Sequence, residues 1–193
     1  MRNILKYSPC LLLITIILGG CAGHGSREYE ALKQQELAKG IRQDSVFMSI
    51  RFGMTSKEFY LYCWEMNKKN VFTNGTRNIS VLYKLPNELK HPVSMNFYPD
   101  FDQNKLYKMW ATFEYDAWAP WNRNLCSDSL LPDVLRLYRK WYEGSDFIKL
   151  TDTKRGTIFV KVDGNRRITI GTPDERLVKV DYTDLLVEQQ LKK

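Results

Sequence analysis

Two carboxylates and three tryptophans lie close together in the middle of the chain, and they form its best candidate for a ligand groove. Glu114 and Asp116 fall on the same side of a predicted strand, and Trp118 and Trp121 follow directly. Trp110 lies four residues before Glu114. Paired carboxylates can hydrolyse a glycosidic bond, and aromatic rings offer large flat contact surfaces. The alternative is that the acids are solvated strand residues beside tryptophans that only pack.

Histidine chemistry is poorly represented in the sequence. The two histidines, His24 and His91, lie far apart, and no motif places a nucleophilic serine or cysteine beside either of them. Zinc sites also need ligands at short, regular spacing, which the scattered histidines and cysteines do not provide. We therefore expect no metal, no cofactor and no enzymatic activity of these kinds.

One segment imitates the start of a calcium-binding loop. Asp100, Asp102 and Asn104 have the alternating spacing of such a loop. The sixth position should be glycine and the twelfth glutamate, but Lys105 and Ala111 stand there. Asp and Asn are also typical turn residues, so the segment predicts a hairpin turn.

Cys21 has the most clearly defined covalent chemistry. It follows the basic residues Arg2 and Lys6, an apolar run over residues 11–18 and two glycines, which is the order of parts in a secretory signal. The apolar run is too short to span a bilayer, which takes about 20 residues. Leu18-Gly19-Gly20-Cys21 resembles the lipobox of bacterial lipoprotein precursors. We therefore expect residues 1–20 to be a lipoprotein signal peptide and Cys21 to carry acyl chains such as palmitate.

Cys63 and Cys126 are then the candidate thiols of the mature chain, since Cys10 leaves with the signal. Two cysteines in an oxidising envelope compartment predict a disulfide. Such a bond would close a loop of about 60 residues and contribute about 4 kcal/mol in the chain-entropy model. The alternative is two buried free thiols.

The composition predicts a packed domain rather than a disordered chain. Residues 21–193 number 173, and the whole sequence is 44% hydrophobic and 13% aromatic. The net charge falls from +7 to +5 when Arg2 and Lys6 leave with the signal. The remaining basic residues are scattered, which together with export argues against a nucleic-acid partner.

The clearest element is a helix that begins after Thr55. Thr55 and Glu58 have the spacing of a capping box, in which each side chain satisfies a free amide at the helix start. The apolar stripe that follows at intervals of three to four residues contains Phe59, Tyr62, Cys63 and Met66. Strands with alternating apolar residues come next, and a second helix carries Leu131, Val134, Leu135, Tyr138 and Trp141.

The order of elements predicts an α+β fold in which a helix is followed by an antiparallel β-meander. The pattern occurs twice, over residues 44–121 and 122–193, with the helices packed on one face of the sheet. Residues 21–43 read as a lipid-anchored tether and a loose helix ending at Gly40. The Asp163-Gly164-Asn165 turn joins two strands of the second unit. That the two units are repeats of each other is inferred from the order of their elements alone.

Phe52-Gly53-Met54-Thr55 ahead of a capped helix resembles the outer-membrane assembly lipoproteins of the SmpA/OmlA (BamE) type. The same motif is similar to that in the repeats of beta-lactamase-inhibitor protein. The general character of the sequence also resembles lipoproteins of Bacteroides-like bacteria. In the first two families a turn of this kind starts a helix that packs across an antiparallel sheet. The resemblance rests on about ten residues and an element order.

We therefore expect a lipid-anchored cell-envelope protein that acts as a non-catalytic protein-binding or assembly module. The alternative is a glycan-binding or glycan-processing lipoprotein that uses Trp110, Trp118 and Trp121. Ala22 follows the acylated cysteine in place of aspartate, which predicts sorting to the outer membrane. The following Gly-His-Gly-Ser lacks the acidic run of a surface-export signal, so we place the domain on the periplasmic face.

Overall fold

The structure is a computed structural model, and it describes residues 24–75, 79–152 and 156–192. The predicted signal peptide and Cys21 lie outside the described residues. The helices are α1 (His24–Ala38), α2 (Ser56–Lys68), α3 (Ser127–Trp141) and α4 (Leu185–Leu191). The strands are β1 (Ser45–Phe47), β2 (Ile50–Arg51), β3 (Phe72–Asn74), β4 (Val81–Leu85), β5 (Val93–Asp102), β6 (Lys105–Tyr115), β7 (Ile148–Asp152), β8 (Gly156–Asp163), β9 (Arg166–Gly171) and β10 (Val178–Asp184).

The prediction of an α+β fold is confirmed, because the helices pack on a large antiparallel sheet. The sheet has eight strands in the order β3-β4-β5-β6-β10-β9-β8-β7. Strands β6 and β10 join its two halves, with Ala111 paired to Val180. Strands β1 and β2 form a separate small hairpin. The two predicted units therefore share one sheet.

Local sequence signals explain how the elements begin and turn. Thr55 and Glu58 form the predicted capping box at the start of α2. The Asp102–Lys105 segment is a hairpin turn, as expected, with Gln103 and Asn104 both at positive φ. Positive φ at both central residues gives a turn whose twist matches that of the flanking strands.

Alternation along the strands creates one thoroughly apolar face, which we call the inner face. Ala111, Ile168 and Val180 lie on it and are fully buried. Helix α3 covers this face with Val134 and Tyr138, which belong to the same core. Full burial of a side chain of this size contributes about 1.5–3 kcal/mol, so this layer is the main source of stability.

In the part of the chain that the structure describes, α1 and α4 cover the β7–β10 end of the opposite, outer face. Val160 and Val162 of β8 point to this side, where they pack with Leu32 and Leu37 of α1 and with Leu185 at the start of α4. The prediction that the helices lie on one face is therefore wrong. The physical reason is that β8 is apolar on the side away from α3 and needs its own cover.

Helix α1 is consequently a packed part of the domain, not the loose helix that its charged sequence indicates. Its Tyr29, Leu32 and Leu37 fall at spacings that place them on one side of the helix. Glu36, although charged, is buried and accepts a hydrogen bond from the Gly164 amide at 3.1 Å.

Candidate functional site

Trp110 and Glu114 of the predicted ligand groove lie on β6, and Asp116, Trp118 and Trp121 lie in the segment that follows it. Trp110 lies half-buried on the outer face of β6, opposite Asp181 of β10. Glu114 lies four residues further along the same strand, which is about 13 Å away. Glu114 is held in a two-point ion pair by Arg176, with Nε–Oε1 at 2.5 Å and Nη2–Oε2 at 2.9 Å. The hydrogen bonds that Arg176 donates to Glu114 raise the pKa of the Arg176 guanidinium.

The other three members of the predicted groove differ in their contacts. Trp118 packs against the main core, and the Arg176 guanidinium lies 5.3 Å from its ring centre. Asp116 accepts a hydrogen bond from Lys84 Nζ at 2.9 Å. Trp121 is 86% exposed. The structure thus links Glu114 with Trp118 through Arg176, and with Asp116 through Ser94, which pairs with Glu114 and donates a hydrogen bond to Asp116.

The predicted disulfide between Cys63 and Cys126 is wrong, because both side chains are free thiols. Cys63 lies on α2, which packs beside β3, whereas Cys126 precedes α3, which packs on β6 and β10. Three strand spacings separate β3 from β6, which is about 14 Å. A disulfide tolerates a Cα separation of at most about 7 Å.

The two thiols should differ strongly in reactivity. Burial raises the pKa of the Cys63 thiol to about 12. At pH 8 its thiolate fraction is then lower by about a thousandfold than that of an ordinary thiol of pKa about 8.5. In the native protein we expect iodoacetamide to modify Cys126 first and Cys63 only after unfolding, both without reductant. Peptide mass mapping checks this, and a Cys63 that needs reductant before it reacts would restore the disulfide.

A large concavity on the inner side lies over Trp141, where α3 ends. One cavity of about 690 Å³ and a second of about 360 Å³ share Ser45, Trp141 and Tyr142 in their walls. We call the joined space the Trp141 trough. Its walls come from the β1–β2 hairpin, β4, the end of α3 and the β8–β9 turn. Its lining includes Ser45, Met48, Tyr83, Glu88, Trp141, Tyr142, Asp163 and Arg166.

Three local features shape this trough. Met48 has a φ of 50° at the tip of the β1–β2 hairpin, and 45% of its side chain is exposed at the rim. Gly164, with a φ of 54°, forms the β8–β9 turn, where an added Cβ would lie 2.2 Å from the Ile41 carbonyl oxygen. The Trp141 ring packs 5.5 Å from the Phe47 ring, which fixes the floor.

A buried ionic cluster forms the polar end of the trough. Asp163 Oδ2 lies 3.3 Å from both Lys161 Nζ and Arg166 Nη2. Its other oxygen accepts from the Ser145 amide at 2.8 Å. The Lys161 side chain is only 2% exposed, and Arg166 Nη1 donates to Ser45 Oγ at 2.7 Å. The Asp163 carboxylate therefore holds the buried Lys161 and Arg166 in place. Arg166 in turn connects the β8–β9 turn to Ser45 in the β1–β2 hairpin.

Two buried donors at this end have no hydrogen-bond partner among the described residues: Arg166 Nε and Asn165 Nδ2. A buried donor left unpaired costs about 1–3 kcal/mol. Because Arg166 lines the trough, a ligand oxygen that reached Nε would satisfy a donor that the described part of the protein does not.

Three tyrosines beneath the trough join it to the sheet. Tyr182 on β10 hydrogen-bonds through its hydroxyl to Tyr138 at 2.6 Å and to Tyr142 at 3.0 Å. Tyr142 also donates to the Val46 carbonyl oxygen of β1. Burial raises the pKa of all three phenols well above the ordinary range, so they stay neutral donors. The floor is thus rigidly coupled to the inner face.

Sequence reasoning did not find this site. Trp141 appears there as one member of a helix stripe, and Asp163 as part of a turn. The sequence feature that could have revealed the site is the pair Lys161 and Asp163, two charged residues within an apolar strand that ends at a glycine turn. Alternation alone places both on a solvated side, whereas β8 is in fact covered on both faces.

Among the described residues no helix is long and apolar enough to span a membrane. The same part of the chain contains no group of three histidine, cysteine or acidic side chains placed to hold a metal ion. Comparison with protein-family models, with curated proteins and with solved structures finds no match.

Proposed function

We propose that this protein is a lipid-anchored envelope protein that binds a segment of another envelope protein in the Trp141 trough. In this proposal Cys21 carries the anchor, the anchor lies in the outer membrane, and the domain faces the periplasm. The observation that carries the binding role is the trough itself, an open concave surface with an aromatic floor and a fixed ionic end.

The side chains of the trough are those that dominate protein–protein contacts. Trp, Tyr and Arg are enriched among the residues that contribute most binding energy, and the trough offers Trp141, Tyr142 and Arg166. Met48 at the rim adds a flexible apolar contact that adapts to a partner. The Asp163 carboxylate holds both cations in ion pairs, which favours recognition over proton transfer.

Photo-crosslinking in living cells tests the proposal. A photoreactive amino acid in place of Met48 or Glu88, on the two sides of the same cavity, should yield one and the same crosslinked partner. Met48→Glu should weaken recovery of that partner by about 30-fold, the effect of losing about 2 kcal/mol at a contact of this kind.

Leu191→Glu provides the matched control. Leu191 on α4 is 52% exposed, close to the 45% of Met48, and α4 begins on the outer face. The control should leave partner recovery unchanged. Crosslinks that form from position 191 but from neither trough position would contradict the proposal.

Glycan binding is the second candidate, and the exposed indole of Trp121 favours it. A tryptophan exposed to 86% is unusual for so large an apolar side chain. If a glycan stacks on it, titration should quench tryptophan fluorescence saturably, and Trp121→Ala should remove the quenching. A titration in which Trp121→Ala changes nothing would count against this function.

We also propose, from element order, that the two helix-plus-strands units are repeats of one ancestral unit related to the BamE-type lipoproteins. The Phe52–Thr55 turn supports this, since Gly53 has a φ of 78° and Thr55 caps α2. Each unit also contributes four consecutive strands to the sheet.

A further inference from the structure

We propose that a groove beneath the start of α1 binds the anionic head group of a phospholipid from the membrane that holds the protein. The proposal rests on the lipid anchor of the proposed function, but it concerns a different site from the Trp141 trough. The groove lies on the outer face of the sheet, and its ligand is a lipid rather than a protein.

The groove is formed where α1 begins and the outer face is no longer covered. A cavity of about 620 Å³ extends from Gly25 and Ser26 of α1 across β7–β10 to Lys108 of β6. It continues into a second cavity of about 330 Å³, with which it shares Ile158, Thr169 and Asp181. The first cavity is rich in charged side chains, and the second includes Ile158 and Pro173 in its wall.

A rigid network fixes the centre of the first cavity. Arg167 forms a two-point ion pair with Glu188 of α4, at 2.7 Å and 3.1 Å. The same guanidinium donates to the Tyr29 hydroxyl at 3.2 Å and to Thr183 Oγ1 at 3.3 Å. The floor therefore connects α1, α4 and the sheet.

The charges that remain available in the groove are positive. Its three carboxylates are already paired: Glu188 with Arg167 and Lys192, Asp181 with Lys179, and Glu30 with Lys33. Lys108 has no carboxylate partner in the described part of the chain, and two cations, Arg167 and Lys192, share the single carboxylate of Glu188. An incoming anion would therefore meet the unpaired Lys108 ammonium group, one further positive charge in excess at Glu188, and no unpaired carboxylate among the described residues of the groove.

The position of the groove relative to the anchor identifies the source of that anion. Gly25 lines the groove, and Cys21 precedes it by four residues, a length of chain that reaches at most about 14 Å. Acyl chains on Cys21 would hold this end of the domain at the head-group layer. A phospholipid phosphate is the anion present there at the highest density.

The test uses the mature chain with Cys21→Ser, secreted behind an ordinary cleavable leader, so that acylation cannot itself hold it to vesicles. It should sediment with phosphatidylcholine vesicles that contain phosphatidylglycerol, and much less with phosphatidylcholine alone. Each lysine near an anionic surface contributes about fivefold in affinity. Lys108→Gln with Lys192→Gln should therefore weaken binding by about 25-fold.

The double variant Lys68→Gln with Lys69→Gln is the matched control, because it removes the same charge at the α2 end of the sheet. It should bind as the parent chain does, and thermal melts should show that all variants are folded. Equal weakening by both pairs would show that diffuse charge drives binding and would overturn the proposal. Equal binding to both vesicle types would also overturn it. Neither result bears on partner crosslinking from Met48, so the two proposals fail separately.

Discussion

Replacing Cys21 by serine should release the protein from the membrane. The change is best made behind a cleavable leader, because a retained signal segment would itself bind lipid. Each buried methylene contributes about 0.8 kcal/mol, and a single chain gives only reversible binding. Two or three chains on Cys21 would therefore make the wild-type attachment effectively permanent, and serine offers no sulfur for it. After ultracentrifugation we expect wild-type protein in the membrane pellet and the variant in the supernatant.

The control for this experiment is Cys63→Ser, which removes a thiol that lies on α2 within the folded domain. That variant should remain in the pellet. Intact mass of the wild-type protein extracted with detergent provides the independent readout, since it should exceed the mass of residues 21–193 by the acyl groups. An unmodified Cys21 in that spectrum would contradict the anchor directly.

Elements whose signals are local could be predicted from the sequence. The capping box of Thr55 and Glu58 starts α2 where the spacing places it. The turns at residues 103–104 and 164–165 each join paired strands. Each of these features depends on interactions among residues a few positions apart, which is why sequence patterns reveal them.

Which helix covers each face of the sheet could not be predicted from such local sequence patterns. Helix α1 has few apolar residues, so its sequence indicates weak packing, and the docking of Leu32 and Leu37 depends on β8 some 120 positions later. Nothing near either segment encodes that contact. The same limitation applies to Cys63 and Cys126, whose separation is set by the order of strands in the sheet.

The candidate site escaped sequence reasoning for a related reason. Clustering of tryptophans at positions 110–121 favours a groove there, but Trp118 packs against the main core whereas Trp121 is left exposed. The trough instead joins residues from four distant segments, with Ser45 hydrogen-bonded to Arg166 across 121 positions. Only the sheet and α3 bring these segments together.

Asp163→Asn should be the most destabilising single change within the polar end of the trough. The carboxylate is the partner of Lys161 and Arg166, both of which are at least 95% buried. Asparagine keeps the shape but removes the charge, which leaves two buried cations without compensation. Breaking a buried ion pair from one side costs about 3–5 kcal/mol. For a chain of this size that lowers Tm by about 6–20 °C, measurable by circular dichroism or calorimetry.

Two further variants show whether charge, and not volume, is responsible. Asp146→Asn makes the same substitution at a carboxylate whose side chain is 93% exposed and lies 3.7 Å from Arg139, so stability should change by less than about 0.5 kcal/mol.

Adding Lys161→Met to Asp163→Asn removes one of the two uncompensated cations and should recover part of the lost stability. A double variant no more stable than Asp163→Asn would mean that the carboxylate acts mainly through the Ser145 amide and the turn it holds. Recovery would instead show that the fixed ionic end of the trough exists because one buried carboxylate balances two cations contributed by neighbouring strands.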